Sequence, residues 1–195
     1  FSGEWEVKKL GEVAEVVGGG TPNTTINYYW NGDINWFTPT EIGMTKYINQ
    51  SRRKISKKGF LSCSANMLPK GAILLTSRAG IGDVGILINE SCTNQGFQSL
   101  IVRDGYYNEF LYYLTKILTN VFTKNASGST FLEISPNKIR QIEVNIPKYE
   151  EQISIAKVLS DIDSEIEALE QKRDKYKAIK QGMMQQLLTG KIRLV

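Results

Sequence analysis

The sequence EEQISIAKVLSDIDSEIEALEQKRDKYKAIKQGMMQQLL, residues 150–188, decides how the chain is organised. It has no proline and a single glycine, Gly182. One series of positions in this stretch is spaced by alternating steps of four and three residues. Two positions of the series are basic, Arg173 and Lys180. The other positions are apolar or aromatic: Ile155, Leu159, Ile162, Ile166, Leu169, Tyr176, Met183 and Leu187. This spacing predicts a long helix with a coiled-coil seam.

The length of this helix indicates how its seam is buried. About 38 helical residues reach roughly 55 Å at 1.5 Å per residue, which exceeds the width of a small domain. A lone amphipathic helix leaves its apolar seam in water, and a partner helix removes it from water. We therefore expect association through this helix. The alternative is a long helix that folds back on its own domain.

The preceding part of the chain has the pattern of an α+β domain with a mixed sheet. We expect a domain at residues 1–149, the spacer helix at 150–189 and a tail at 190–195. A core-facing helix is predicted at residues 109–122, and a short helix after Ser62. Strands are predicted at residues 34–38, 72–76, 86–88, 99–102 and 142–146.

The composition narrows the class of protein. Of the 195 residues, 41% are hydrophobic and 23% are charged, as in globular proteins. The apolar runs fall well short of the roughly 20 residues that span a bilayer. Cys63 and Cys92 are far apart, which favours free thiols in a reducing cytoplasm. Because the chain has no histidine, the commonest general base and zinc ligand are missing, and we expect neither a metal nor a cofactor.

Charge is unevenly distributed. Residues 150–195 hold eight basic and eight acidic side chains, so residues 1–149 carry the whole net charge of +4. Residues 42–82 contain no acidic residue. The basic residues of this acid-free window are Lys46, Arg52, Arg53, Lys54, Lys57, Lys58, Lys70 and Arg78. Such a stretch indicates a surface that faces a polyanion, or else a solvated surface without a partner.

Two glycine-rich stretches do not predict nucleotide sites. The loop at residues 18–22, Gly-Gly-Gly-Thr-Pro, is not followed by the Gly-Lys-Ser/Thr of a P-loop. Gly80, Gly82 and Gly85 match the spacing of a dinucleotide fingerprint, but the residues that follow have the pattern of a strand where a helix is required. A glycine hairpin that presents Arg78 fits this second stretch better.

The order of motifs resembles the specificity subunits of type I restriction-modification systems. The motifs are Trp5…Leu10-Gly11, Gly19-Gly20-Thr21-Pro22, Ile34…Trp36, Ile55-Ser56…Gly59, Leu68-Pro69-Lys70-Gly71, Ser77-Arg78-Ala79-Gly80, Asn94-Gln95, Pro147…Glu151-Gln152-Ile153, Leu159…Ile162-Asp163 and Leu187-Leu188-Thr189-Gly190-Lys191. Such subunits carry two target-recognition domains, each followed by a long helix, and the helices pair antiparallel. This chain has one domain and one helix. It resembles either the second half of a longer subunit or a natural half-subunit that dimerises.

The resemblance implies recognition of double-stranded DNA without catalysis by this chain. It implies methyltransferase subunits that use S-adenosylmethionine, and an ATP-driven restriction subunit, as partners in the complex. The second copy or second half would bind through the C-terminal helix. In agreement, the sequence lacks the Asp/Asn-Pro-Pro-Phe/Tyr motif of methyltransferases.

Candidate DNA-binding residues follow from this resemblance and from the charge pattern. Arginine pairs with guanine through two hydrogen bonds, and asparagine or glutamine with adenine. The base-edge candidates are Asn23, Arg52, Arg53, Arg78 and Gln95, each of which could equally serve a cap or turn. The phosphate candidates are Lys46, Lys54, Lys57 and Lys58. Trp36 and Phe37 are expected in the core.

Two other functions compete with DNA recognition. One is a coiled-coil adaptor that binds only protein, with the basic stretch as solvated surface. The other is a small DNA-modifying enzyme that uses Glu41 or Asp83, against which the missing histidine and cofactor motifs count.

Overall fold

The structure is a computed structural model that describes residues 3–78, 80–128 and 132–194. The strands are β1 Glu6–Lys9, β2 Ala14–Gly18, β3 Trp30–Phe37, β4 Tyr47–Ile48, β5 Arg53–Ile55, β6 Ile73–Leu75, β7 Val84–Leu87, β8 Cys92–Thr93, β9 Gln98–Val102 and β10 Glu143–Ile146. The helices are α1 Leu10–Val13, α2 Lys57–Leu61, α3 Asn108–Ile117, α4 Thr119–Asn125, α5 Pro136–Arg140 and α6 Tyr149–Leu188. The predicted α+β class, with mixed sheets before one long helix, is confirmed.

The strands of the described ranges form three sheets. The largest has the order β2-β9-β6-β7-β4, with β4 parallel to β7 and the other pairs antiparallel. A smaller sheet has the order β5-β3-β8, in which β3 is antiparallel to β5 and parallel to β8. The third is the antiparallel pair β1-β10, in which Glu6 lies opposite Ile146.

Each larger sheet has an apolar cluster. The cluster of the five-stranded sheet contains Phe37, Ile42, Ile48, Leu68, Ala72, Leu74, Leu87 and Phe97. The cluster of the three-stranded sheet contains Trp30, Trp36, Ile55, Ala65 and Cys92. Trp36 and Phe37 are buried, as predicted, and they belong to different clusters. Strand β3 therefore joins the two cores.

The predicted glycine hairpin is confirmed. Strands β6 and β7 are antiparallel, and Leu75 lies opposite Val84. Gly80 and Gly82 have φ of +112° and +99°, which glycine adopts without steric cost. A dinucleotide site requires a helix to begin directly after such glycines. Strand β7 follows them instead, so this stretch does not form a dinucleotide site.

Two helix predictions need correction. The short helix lies before Ser62 and not after it, because Ser56 caps α2 by accepting a hydrogen bond from the amide of Gly59 at 3.1 Å. The single helix predicted at residues 109–122 is two helices, α3 and α4, which meet at Leu118.

The long helix predicted from periodicity is confirmed as α6, and its pairing in a coiled coil stays a prediction. It starts one residue before the predicted position and ends at Leu188. Its first turn belongs to a compact unit that extends to Ile153, four residues beyond the predicted domain end, and residues 154–195 form a second unit. In the described part of the chain, no helix is both long and apolar enough to cross a membrane.

Candidate nucleic-acid interface

Two tryptophans at the ends of β3 organise the surface where most candidate residues lie. The rings of Trp30 and Trp36 meet edge to face, with centroids 5.1 Å apart. The indole nitrogen of Trp36 donates to the carbonyl of Gly20 at 2.8 Å, and that of Trp30 to the carbonyl of Asn23 at 3.3 Å. The indoles therefore hold the loop at residues 18–23 against β3.

The glycines of this loop are needed because other backbone segments approach closely. A Cβ atom on Gly19 would lie 2.1 Å from the carbonyl oxygen of Asn94, and one on Gly20 would lie 2.5 Å from the amide of Ala65. The amide of Gly20 already donates to the carbonyl of Thr93 at 2.9 Å. Tight packing accounts for these glycines without a bound phosphate.

Arg53 lies on this tryptophan pair. Its guanidinium carbon is 3.7 Å from the ring centroid of Trp30 and 5.7 Å from that of Trp36. The register of β3 and β5 places Arg53 directly opposite Trp36, and Trp30 opposite Ile55, which lies two residues along on the same face of β5. Arg53 is exposed, and within the described ranges no carboxylate forms a salt bridge with it.

The other basic residues of this region lie on β5, on α2 and in the turn before β5. Lys54 is half-buried and lies opposite Asn35, while Lys57 and Lys58 are exposed on α2. The Lys58 ammonium is 5.8 Å from the ring centroid of Tyr28. Ser56 orients α2 by donating to the carbonyl of Tyr28 at 2.7 Å.

Arg52 is presented by a hydrogen-bonded turn. Its amide donates to the Glu41 carboxylate at 2.7 Å, and the same carboxylate accepts the amide of Thr38 at 2.8 Å. Glu41 thus holds two backbone segments, and the Arg52 side chain is exposed. This structural role accounts for Glu41, which the enzyme hypothesis had named as a catalytic carboxylate.

The two amide candidates take part in local turns. The side-chain oxygen of Asn23 accepts from the amide and the hydroxyl of Thr25 at 3.0 and 2.8 Å. The side-chain oxygen of Gln95 accepts from the hydroxyl of Thr21. These are the turn roles that the sequence left open, and base contacts by both residues stay predictions.

Lys46 lies in a different environment from the other candidates. Its ammonium is 2.8 Å from Glu109 and 3.3 Å from the hydroxyl of Tyr113, and both side chains of the ion pair are largely buried. Burial lowers the pKa of Lys46, but the hydrogen bonds with Glu109 and Tyr113 outweigh it and leave the pKa raised. Because Glu109 already balances this charge, Lys46 is a poor candidate for a phosphate contact.

Arg78 and Asp83 lie at the β6-β7 hairpin. Arg78 is half-buried and its guanidinium is 4.0 Å from Glu133. The amide of Asp83 donates to the hydroxyl of Thr76 at 2.9 Å. Within the described ranges, no group of three or more His, Cys, Asp or Glu side chains could hold a metal ion.

Several apolar side chains of the α6 seam are exposed to solvent. Ile162 and Ile166 are each 50% exposed and Tyr176 is 60% exposed, while Ile155, Leu159 and Leu187 are half-buried.

Residues 150–170 hold seven acidic side chains and one basic side chain. Residues 171–195 hold seven basic side chains and one acidic side chain. The helix is therefore charged oppositely on the two sides of Gln171.

Residues 2–178 match the family model described as type I restriction modification DNA specificity domain. The chain is 46% identical over 168 residues to the type I restriction enzyme MjaIX specificity subunit of Methanocaldococcus jannaschii, which covers 84% of this chain and 39% of that protein. It is 27% identical to the EcoR124I/EcoR124II specificity subunit of Escherichia coli, over 83% of this chain and 42% of the relative. The chain thus spans less than half the length of these curated relatives.

Solved structures have the same fold. One solved structure concerns complex assembly and conformational transition of the type I R-M system. A chain of that structure matches with a TM-score of 0.74 and 22% identity, over 95% of this chain and 45% of that chain. The HsdS subunit from Thermoanaerobacter tengcongensis matches with a TM-score of 0.68 and 21% identity, over the same shares of the two chains.

Proposed function

Because this chain belongs to the type I restriction modification DNA specificity family, we propose that it recognises a specific sequence in double-stranded DNA and directs methyltransferase subunits to it. The observation that carries the proposal is Arg53, an exposed guanidinium held on a buried tryptophan pair within the acid-free window. We propose that the chain itself is not catalytic and needs no cofactor. We place the complex in the cytoplasm, where its DNA would be accessible.

The exposed cations divide by their surroundings into two roles. Arg52, Lys57 and Lys58 are exposed and no carboxylate binds their side chains in the described chain, which suits phosphate contacts. Phosphate contacts set the position of the protein on the duplex, and base-edge contacts set its sequence preference. We propose Arg53 for a base edge and leave Lys46 out of the interface.

We propose that α6 pairs with the same helix of a second copy, or of a second half-subunit, in antiparallel orientation. The exposed seam supports pairing because burial of Ile162, Ile166 and Leu169 would remove apolar area from water. The charge pattern supports the orientation. Antiparallel copies would place the acidic half of one helix beside the basic half of the other, whereas parallel copies would place like charges together.

A symmetric pair would recognise a split site with inverted halves, because two-fold symmetry in the protein imposes two-fold symmetry on its DNA. The methyltransferase subunits, and through the complex an ATP-driven restriction subunit, are the remaining proposed partners. The whole subunit's activity rests on these partners.

A selection of random duplexes bound by the chain, alone and with its methyltransferase subunit, tests the proposal. We expect enrichment of a split motif with inverted halves, whose gap reports the separation of the two domains. A single short half-site would contradict pairing of two copies. If neither condition enriches a motif, and the fluorescence anisotropy of duplex DNA does not change when the protein is added at low salt, the adaptor that binds only protein is favoured.

A further inference from the structure

We propose that Arg53 is a specificity-determining residue that reads a guanine in the major groove, and that Trp30 is its positioning residue. This inference rests on the proposed recognition of duplex DNA and adds one residue and one base to it.

The contact with Trp30 restricts the position of the guanidinium. At 3.7 Å from the ring centroid of Trp30, the guanidinium covers one face of the indole in a cation–π contact. Trp30 is itself held by its hydrogen bond to the carbonyl of Asn23 and by the edge of Trp36. A planar group that stacks through its face keeps its N–H donors at the rim, where they can point away from the ring.

A fixed guanidinium suits guanine for two reasons. Guanine presents two acceptors side by side in the major groove, O6 and N7, and the forked donors of arginine match this pair. An arginine side chain normally loses much rotamer freedom on binding, and the stack has already removed part of that freedom before DNA arrives. Pre-organisation therefore favours a geometrically demanding contact over a loose phosphate contact.

The other cations lack this combination. In the described ranges, the cation–π contacts involve Arg53 and lysines, and a lysine ammonium has no planar fork. Arg78 lies 4.0 Å from Glu133, and among the described residues no aromatic ring makes a cation–π contact with Arg52. Arg53 alone among the base-edge candidates is both exposed and held by stacking.

The competing explanation is structural. Arg53 also covers the buried Trp30 ring, and an arginine can be retained at such a position for packing alone. A packing role predicts that substitutions change stability and leave the base preference unchanged. The two explanations therefore differ in a measurable way.

The test compares Arg53→Lys with the matched variant Arg52→Lys in the full chain. Both substitutions keep the charge, and both remove one guanidinium. Random duplexes are selected with each protein, and thermal unfolding is recorded in parallel. We expect Arg53→Lys to lose the preference for guanine at one position of each half-site, while Arg52→Lys keeps the wild-type motif at slightly altered affinity.

A second measurement uses the wild-type chain, so its outcome is independent of folding of a variant. The guanine at the identified position is replaced by 7-deazaguanine, which lacks N7, or by hypoxanthine, which changes only the minor-groove edge. We expect 7-deazaguanine to weaken binding about tenfold and hypoxanthine to have little effect. An unchanged motif for Arg53→Lys, with or without a lower melting temperature, would overturn the inference. If the wild type selects no motif at all, the proposed function itself fails.

Discussion

The side-chain oxygen of Gln152 accepts a 2.8 Å hydrogen bond from the backbone amide of Tyr107, 45 residues away in the chain. The side-chain nitrogen of Gln152 donates to the carbonyl of Pro147 at 2.9 Å. Gln152 is 1% exposed. The first turn of α6 is thus part of the compact unit and ties the start of the long helix to the residue before α3.

Replacing this glutamine should destabilise the compact unit. In Gln152→Leu both hydrogen bonds are lost, so the half-buried Tyr107 amide and the buried Pro147 carbonyl lose these partners, and we expect the free energy of unfolding to fall by about 2–3 kcal/mol. Urea denaturation measures this change. Gln171→Leu, at an exposed position of the same helix, serves as control and should change it by less than about 0.5 kcal/mol. Equal effects would show that the buried hydrogen bonds contribute little.

Truncation tests the same contact in another way. We expect the chain that ends at Ile153 to fold as a monomer. The chain that ends at Tyr149 lacks Gln152 and should be the less stable of the two. Thermal unfolding and sedimentation compare them, and equal stability would place the domain end at Tyr149, as the sequence predicts.

The ion pair of Lys46 and Glu109 should stabilise the fold. Lys46→Met removes the ion-pair partner of the largely buried Glu109, which also accepts a hydrogen bond from the Tyr47 hydroxyl. We therefore expect a loss of about 1–3 kcal/mol, against less than about 0.5 kcal/mol for the exposed Lys57→Met. Because the pKa of Lys46 is raised in the folded state, its contribution is complete below the ordinary lysine pKa. It is lost only as pH rises through the raised value. Urea denaturation should therefore show the same difference at pH 6 and pH 8.

Cys92 should resist thiol reagents in the folded chain. Burial raises the pKa of its thiol to about 12, from an ordinary value of 9.0, and the charge of Cys63 adds to this effect. As pH rises, the Cys92 thiol loses its proton at a lower pH in the unfolded state than in the folded state. The stability that the protonated thiol contributes is therefore fully present below pH 9 and declines towards pH 12. At pH 8 we expect the half-buried Cys63 to react first, and Cys92 to react at the rate of unfolding. Mass spectrometry after timed alkylation identifies the order.

Loss of both arginines of the turn and β5 should weaken DNA binding. For Arg52→Ala with Arg53→Ala we expect the dissociation constant to rise at least tenfold, and the salt dependence to decrease by about one counterion per lost phosphate contact. The control removes the same charge elsewhere, through Lys116→Ala with Lys124→Ala on the exposed sides of α3 and α4. Similar losses in both double variants would indicate a general effect of net charge. Unchanged binding in the first variant would place the interface elsewhere.

A charge in the seam of α6 should prevent self-association. Ile166→Glu places a carboxylate in the seam, where pairing would bury it, so we expect a monomer in sedimentation equilibrium. Ser164→Glu adds the same charge two residues earlier, off the seam, and should leave the association state unchanged. A wild-type chain that is already monomeric at micromolar concentration would contradict pairing of two copies.

The long helix was predictable because its signal is local and repeated. Spacings of four and three from Ile155 to Leu187 define one face, and the observed helix, Tyr149–Leu188, differs from the predicted range 150–189 by one residue at each end. The helix α2 was misplaced because it spans only five residues, too short for periodicity. Its one usable signal was the cap at Ser56.

The candidate site shows the limit of reasoning from local sequence. The acid-free window placed Lys46 beside the other basic residues, but its partner Glu109 lies 63 residues further along the chain. The support of Arg53 by Trp30 depends on the pairing of β3 with β5, and the bulge between Trp30 and Ile34 shifts that register. Side chains that meet through such pairing leave no periodic signal, so sequence alone ranked Arg53 no higher than Asn23.

The pairing of β1 with β10 has a consequence for replacement of the segment between these two strands. Glu6 lies opposite Ile146, so the chain enters the domain and leaves it on neighbouring strands, about 5 Å apart. A segment bounded by these two residues can be cut out and replaced by another with a similar strand pair, while the helix that follows stays in place. If the proposed function holds, exchange of the segment between β1 and β10 would change the DNA sequence recognised and leave α6 unaltered.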